Sequence, residues 1–262
     1  MAGYNGGPRA HGGKRPLGKV ALLVGGAAVI AFGSASLIPG CGARHPTSEQ
    51  SGRGGVSGAA SDHFAQLAST GQHDAALAVV TAADTLRMTT GAMPGRLMEV
   101  STPGNSGVRP HLVSSAGRVE LALMTTGQLG PSAVSIELSN AVSWRLQFNG
   151  ETSQTFLNLS NGQVASIDFT AGSSLIQMTL PRPAGTATIT LAGGANQVNV
   201  TTPAGVAVRL RLNAGASAAT LAGQSYNGVG SGTVLSSPDW AQAASRYDID
   251  APAGINEITV GD

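Results

Sequence analysis

The chain has 262 residues, of which 42% are apolar, 4% aromatic and 11% charged, with a formal net charge of +1. Charged residues fall well below the roughly 25% of an average domain, and the 37 glycines are about twice the usual share. Near-zero charge points away from a nucleic-acid partner, and the single cysteine, Cys41, excludes an intramolecular disulfide or a zinc site built on paired cysteines.

Residues 1–19 hold Arg9, Lys14, Arg15 and Lys19 and no acid, and read as a basic cytoplasmic tail. The stretch from Val20 to Ile38 follows without a charge. As a helix at about 1.5 Å per residue it spans roughly the hydrocarbon layer of a bilayer. Residues 20–40 are therefore expected to engage the membrane, with everything beyond them outside the cell by the positive-inside rule. Three readings stay open: a retained single-pass anchor, a lipoprotein signal, or a cleaved signal peptide. Leu37–Cys41 resembles a lipobox, which makes Cys41 the candidate for lipidation, although Pro39 stands where a small residue is usual. Residues 41–60, rich in Gly and Ser and without periodicity, read as a flexible linker.

The remainder, 61–262, is expected to be all-β. One short helix is allowed at Ser61–Gly71, capped by Ser61 or Asp62. Alternating apolar residues mark strands over 76–91, 95–103, 118–126 and 133–139. From Trp144 the period of two sharpens: Trp144, Leu146 and Phe148 share a face, as do Ile176, Met178 and Leu180, then Val206, Val208, Leu210 and Leu212.

A longer period overlies the short one. Gly150, Gly172, Gly194 and Gly215 recur at about 20–22 residues, and Gly254 resumes the series after an insertion over 223–245. Pro183-Ala184-Gly185 and Pro203-Ala204-Gly205 supply a second corner. Each unit is then two short strands and two tight turns. Such repeats predict a short β-solenoid, in which each module covers its neighbour's apolar side. An ordinary antiparallel sandwich is the alternative.

The segments 142–150, 180–200, 202–217 and 246–260 resemble uncharacterised membrane-associated proteins of high-GC Gram-positive bacteria. Those are similar in turn to toast-rack and adhesin-like β-solenoid domains of bacterial cell-envelope proteins. Asn149, Ala171 and Ala214 replace the first residue of the glycine pairs typical there, so only the second would be conformationally required. The resemblance implies an extracytoplasmic β-solenoid, a membrane protein of the cell envelope active in envelope sensing or partner binding.

No cofactor, metal or catalytic group is expected. The histidines, His11, His45, His63, His73 and His111, lack a second ligand at metal-binding spacing. Asp248 and Asp250 should share a solvent-facing side of one strand. With Glu257, they would support a wall-carbohydrate hydrolase only by converging in a concave pocket. Neither a nucleophile elbow nor a phosphate loop occurs, and Gly228–Gly232 reads as a loop. Candidate partner contacts are Arg209 and Arg211, for an anionic wall polymer or lipid head groups, and the insertion's Tyr226 and Trp240, for an envelope protein or wall polymer. Trp240 is also a candidate end-cap of the core. The expected protein is a non-enzymatic envelope component, with a purely structural spacer as the remaining option.

Overall fold

A computed structural model describes residues 63–262. The tail, the apolar segment 20–40, Cys41 and the linker lie outside the described residues. Among those described, the regular elements are 19 strands, with no helix long and apolar enough to cross a membrane.

The strands run β1 (Phe64–Ala68), β2 (Asp74–Val79), β3 (Ala83–Gly91), β4 (Arg96–Ser101), β5 (Val108–Ser115), β6 (Arg118–Thr125), β7 (Ala133–Ser139), β8 (Ser143–Phe148), β9 (Thr152–Asn158) and β10 (Gln163–Phe169). They continue β11 (Ser173–Thr179), β12 (Thr186–Leu191), β13 (Ala195–Thr201), β14 (Ala207–Leu212), β15 (Ala216–Leu221), β16 (Gln224–Val229), β17 (Thr233–Ser236), β18 (Arg246–Ala251) and β19 (Ile255–Gly261). The helix expected at Ser61–Gly71 is instead strand β1, which pairs with β4. Leu67, buried beneath that pair, outweighs the weak local preference. The single apolar run 76–91 splits into β2 and β3, because the chain changes sheet at Val80–Ala82. Within the insertion, residues 230–232 form a turn inside the loop expected at Gly228–Gly232, and the chain on either side of it forms two strands, β16 and β17.

Two sheets form, one of ten strands ordered β1-β4-β7-β3-β9-β11-β13-β19-β15-β16 and one of nine ordered β17-β14-β18-β12-β10-β8-β2-β6-β5. Their inward side chains make one apolar cluster that draws on both sheets. From β8 to β13 the chain alternates between sheets, and each strand pairs in parallel with the strand two along. Parallel pairing rules out the purely antiparallel sandwich for these modules.

At both ends the order departs from a sequential stack. Module β2–β3 sits between β6–β7 and β8–β9. The last module, β18–β19, enters between β12–β13 and β14–β15. The insertion over 223–245 is the route that lets the chain turn back: β16 and β17 pair antiparallel on the outer edges of β15 and β14 before β18 begins.

The core is largely aliphatic, as the scarcity of aromatics requires. Trp144 is fully buried, and its indole N–H donates to the Ser139 carbonyl at 2.9 Å, closing the corner between β7 and β8. Phe148 and Phe169 stack on adjacent parallel strands at 4.6 Å between ring centres. Tyr247 is also fully buried, its hydroxyl donating to the Pro181 carbonyl at 2.7 Å. Desolvation holds this phenol well above its ordinary range. A folded-state pKa above the unfolded value gives a contribution that is whole below about pH 10 and lost as pH rises through the phenol's folded pKa. Urea unfolding from about pH 9 to about pH 12 should therefore show stability falling above about pH 10. Tyr247→Phe should flatten that decline while lowering stability at neutral pH by about 1 kcal/mol for the lost hydrogen bond.

Candidate functional site

Parallel register puts side chains of like position in rows across a sheet, and two outer surfaces result. On the nine-stranded sheet, Arg209 of β14 lies beside Asp248 of β18, and Arg211 beside Asp250. Arg209 grips Asp248 with two hydrogen bonds, Nε to Oδ1 at 3.0 Å and Nη2 to Oδ2 at 2.7 Å. Arg211 adds a third, Nη2 to Oδ2 at 3.0 Å, and its Nε lies 3.7 Å from Asp250 Oδ1. Asp250 also accepts from Asn213 Nδ2 at 2.9 Å.

Alternation predicts a solvent-facing Asp248, yet the residue is only 8% exposed. It does point outward; the two arginines cover it. The hydrogen bond to Asp248 is the main influence raising the Arg209 guanidinium's pKa, desolvation opposes it, and the carboxylate's charge adds to the rise.

Trp240 completes this cluster and does not cap the core. Its ring lies 3.7 Å from the Arg209 guanidinium carbon and 4.7 Å from that of Arg246. Its indole N–H donates to the Tyr247 carbonyl at 3.1 Å. Arg246 Nη1 donates to the Trp240 and Ala241 carbonyls, and its Nε to Thr186 Oγ1. The segment after β17 is thus strapped over the outside of β14 and β18. Val229 and Leu235 pack against the core end, the place the end-cap reading gives to Trp240. Arg209 and Arg211 are engaged with acids of their own chain, which weakens their reading as free anion contacts.

Asp248→Asn keeps the shape but strips the counter-charge from two arginines. It should lower unfolding free energy by about 1–3 kcal/mol, as for other partly buried ion pairs broken on one side. The emission of Trp240 should shift to the red as the strap loosens, measured in the same urea titration.

Tyr226 lies elsewhere, on β16 at the edge of the ten-stranded sheet, 37% exposed, with its hydroxyl donating to Gln224 Oε1. Tyr226 thus sits at the edge of the ten-stranded sheet, whereas Trp240, in the turn segment after β17, lies against the outside of the nine-stranded one. Glu257 stands on β19 of the ten-stranded sheet, while Asp248 and Asp250 stand on β18 of the other. Their outer faces point away from each other, so these three acids do not converge.

The outer face of the ten-stranded sheet is of another kind. One row runs Arg87, Phe156, Gln177, Asn199, Thr259, Thr220 across six parallel strands. Arg87 lies over the Phe156 ring at 5.2 Å. A parallel row holds Thr85, Gln154, Leu175, Gln197, Glu257 and Ala218. Near the start of these strands, one exposed residue per strand falls outside the ladder: Asp84, Ser153, Ser174, Asn196, Asn256 and Ser217. A cavity of about 500 Å³ opens there, lined by Asp84, Ser132, Glu151, Ser153, Ser173 and Ser174. Asp84 Oδ2 accepts the Ser132 backbone N–H at 3.1 Å, and buried Thr152 and Ser173 bond to each other at 3.0 Å. Sequence reasoning missed this polar margin. Its signal lies in the small polar residues that follow each repeat glycine.

The repeat glycines meet at the corners leading into the ten-stranded sheet, with one shift. Gly172, Gly194, Gly254 and Gly215 immediately precede their strands, and each of the first three carbonyls, with that of Gly215, receives the first N–H of the neighbouring strand. In this column the position beside Gly172 belongs to Glu151, whose carbonyl receives the Ala83 N–H. Gly150 sits one residue earlier. Positive φ occurs at Gly194 and Gly215 but not at Gly150, Gly172 or Gly254. Gly185 and Gly205, also at positive φ, turn the chain back toward the nine-stranded sheet.

No family model matches the chain, and no curated protein matches it. Among solved structures, a protein from Clostridium sporogenes, named provisionally for cell adhesion, is similar at 12% identity and a TM-score of 0.54, over 75% of this chain and 97% of that one. A second, named provisionally as an adhesin from Bacteroides fragilis, aligns at 9% identity over 76% of this chain and 98% of that one. Its TM-score of 0.28 is too low for a shared topology to follow. The first likeness is one of fold.

Proposed function

We propose that the chain is a non-enzymatic, membrane-anchored cell-envelope protein. Its permuted stack of two-strand modules serves as a short β-solenoid, presenting the outer face of the ten-stranded sheet to an envelope protein or wall polymer. The observation that carries this reading is the registered row Phe156, Gln177, Asn199, Thr259, Thr220. Beyond Arg87, which lies over the Phe156 ring, neutral amides and hydroxyls repeating across adjacent strands offer evenly spaced donors and acceptors. A flat polar array suits an extended partner better than it suits a buried reaction. The separation of Asp248 and Asp250 from Glu257 weighs against the carbohydrate hydrolase.

Export rests on the basic tail and apolar segment of residues 1–40. Either a retained helix or a lipid on Cys41 would hold the body at the membrane, and mass spectrometry of the mature N-terminus distinguishes them. The fold shared with a protein named provisionally for cell adhesion agrees with a surface location.

Crosslinking in intact membranes tests the reading. The full chain should capture a partner, and Gln177→Arg with Asn199→Arg should reduce the yield at least tenfold, since two bulky cations break the neutral row. The melting temperature should stay within a few degrees, because both side chains point outward. Unchanged capture by this variant would remove the face from consideration. Deleting 223–245 is a poor control, because it also removes two strands and the Trp240 strap.

A further inference from the structure

Every open sheet edge exposes backbone groups that invite another strand, and natural proteins usually block them. Three of the four edges among the described residues are blocked. β5 carries Arg109, Pro110 and His111 along its length. β17 has only four residues. β1 shifts register between Leu67 and Ala68 and lies against β5. The fourth edge, β16, has six residues, Gln224–Val229, with no charge and no proline; its first five residues are exposed, and its extended backbone runs unbroken over Gln224–Asn227 before Gly228 turns to a φ of 61°.

The turn before β16 orients that edge. Ala222 and Gly223 have φ of 48° and 78°, the two-residue reverse turn that matches strand twist. Leu221 and Gln224 flank it and face each other. Hydrogen-bonded and non-bonded pairs alternate from there, so the backbone groups of Ser225 and Asn227 point away from β15. The side chain of Tyr226, opposite fully buried Ala219, lies on the core side of the sheet, just beyond the end of the core.

We infer that β16 pairs antiparallel with β16 of a second copy of this chain, about a two-fold axis at Tyr226. Ser225 of one copy then exchanges both backbone hydrogen bonds with Asn227 of the other, and the reverse, while the two Tyr226 residues face each other. A two-fold contact sets each group against the same surface of its mate, so a charge near the axis would repel its own copy. The absence of charge along β16 is what self-pairing requires. The two tyrosine rings would close the end of the core that Val229 and Leu235 only partly cover. Joining the copies makes one sheet continuous across both.

The test uses the full chain in membranes and in detergent. Residues facing each other in a non-hydrogen-bonded pair have Cα atoms about 4.5 Å apart, within reach of a disulfide. Tyr226→Cys under mild oxidation should yield a peptide linking position 226 to itself, identified by mass spectrometry apart from any link through Cys41. Gln224→Cys should link far less. Tyr226→Lys, which sets two ammonium groups opposite each other, should weaken self-association at least tenfold in sedimentation while leaving the melting temperature nearly unchanged. No 226–226 peptide, or a monomer throughout the accessible concentration range, overturns the proposal. Position 226 linking to a different protein also overturns it, in favour of a foreign strand on the same edge.

Discussion

Ending the chain at Ser245 abolishes the folded state, or leaves a body from which β14–β17 have detached. The truncation removes β18 and β19, which occupy interior positions between β12 and β14 in one sheet and between β13 and β15 in the other. Tyr247, Ile249, Ala251, Ile255, Ile258 and Val260 leave the core with them. At roughly 1.5–3 kcal/mol for each large apolar side chain, the loss rivals the entire stability of an ordinary domain, roughly 5–15 kcal/mol. A sequential stack would behave otherwise, since its C-terminal module lies at one end and peels away alone. Expression, solubility and cooperative thermal unfolding of the truncated chain decide between the two. A soluble product with one unchanged transition would contradict the interior placement of the last module. The same topology implies that neither sheet is complete until β18 and β19 have been synthesised, a long-range requirement that slows folding.

Gly150→Val should cost about 2–4 kcal/mol, whereas Gly254→Ala should fall within about 0.5 kcal/mol of the parent. A Cβ at Gly150 would stand 2.2 Å from both the carbonyl carbon and oxygen of Thr81 and 2.6 Å from the Ala82 nitrogen. Those are backbone atoms of the neighbouring corner, so one corner must move. At Gly254 a Cβ meets nothing within 4 Å. The two look alike in the repeat but differ in the fold. Gly150 occupies the first position of the glycine pair. Gly193 holds the same place in its own module, and a Cβ there would stand 2.0 Å from the Ala171 carbonyl carbon. Gly150 and Gly193 are therefore required at the first position by close backbone approach, although Ala171 fills that position in the module between them; positive φ requires glycine at the second position in Gly194 and Gly215, so the expectation that only the second matters fails at Gly150 and Gly193 alone. Chemical unfolding of both variants measures the difference directly. Equal losses would mean that the corner approach is unimportant.

Much of the architecture is legible without coordinates. Period-two alternation from Trp144 onward names the inward residues, and Trp144, Leu146, Phe148, Ile176, Met178, Ile249 and Ile258 are buried. Alternation is a local property of strands with one wet face, so it survives in the sequence. The repeat at about twenty residues signals modules laid side by side. Strand β5 escapes a sequence reading because Pro110 breaks the pattern, and an edge strand needs fewer backbone bonds than a central one. The strands of the insertion escape it because β16 has no buried face to alternate.

The site is less legible, for a related reason. Asp248 and Asp250 lie on β18 and Arg209 and Arg211 on β14, far apart along the chain, and their pairing follows from register alone. Trp240 stands out as an aromatic among small residues, but only the strap over β14 shows that two arginines hold it. Local sequence determined which residues form strands, which side of each strand is apolar and where the chain turns, because these follow from side-chain chemistry and backbone freedom within a few residues. Tertiary structure alone decided the order of the modules, the entry of the last pair between earlier ones and which charges meet. Those depend on which strand edges find each other, and parallel edges of similar modules are nearly interchangeable until the whole core is packed.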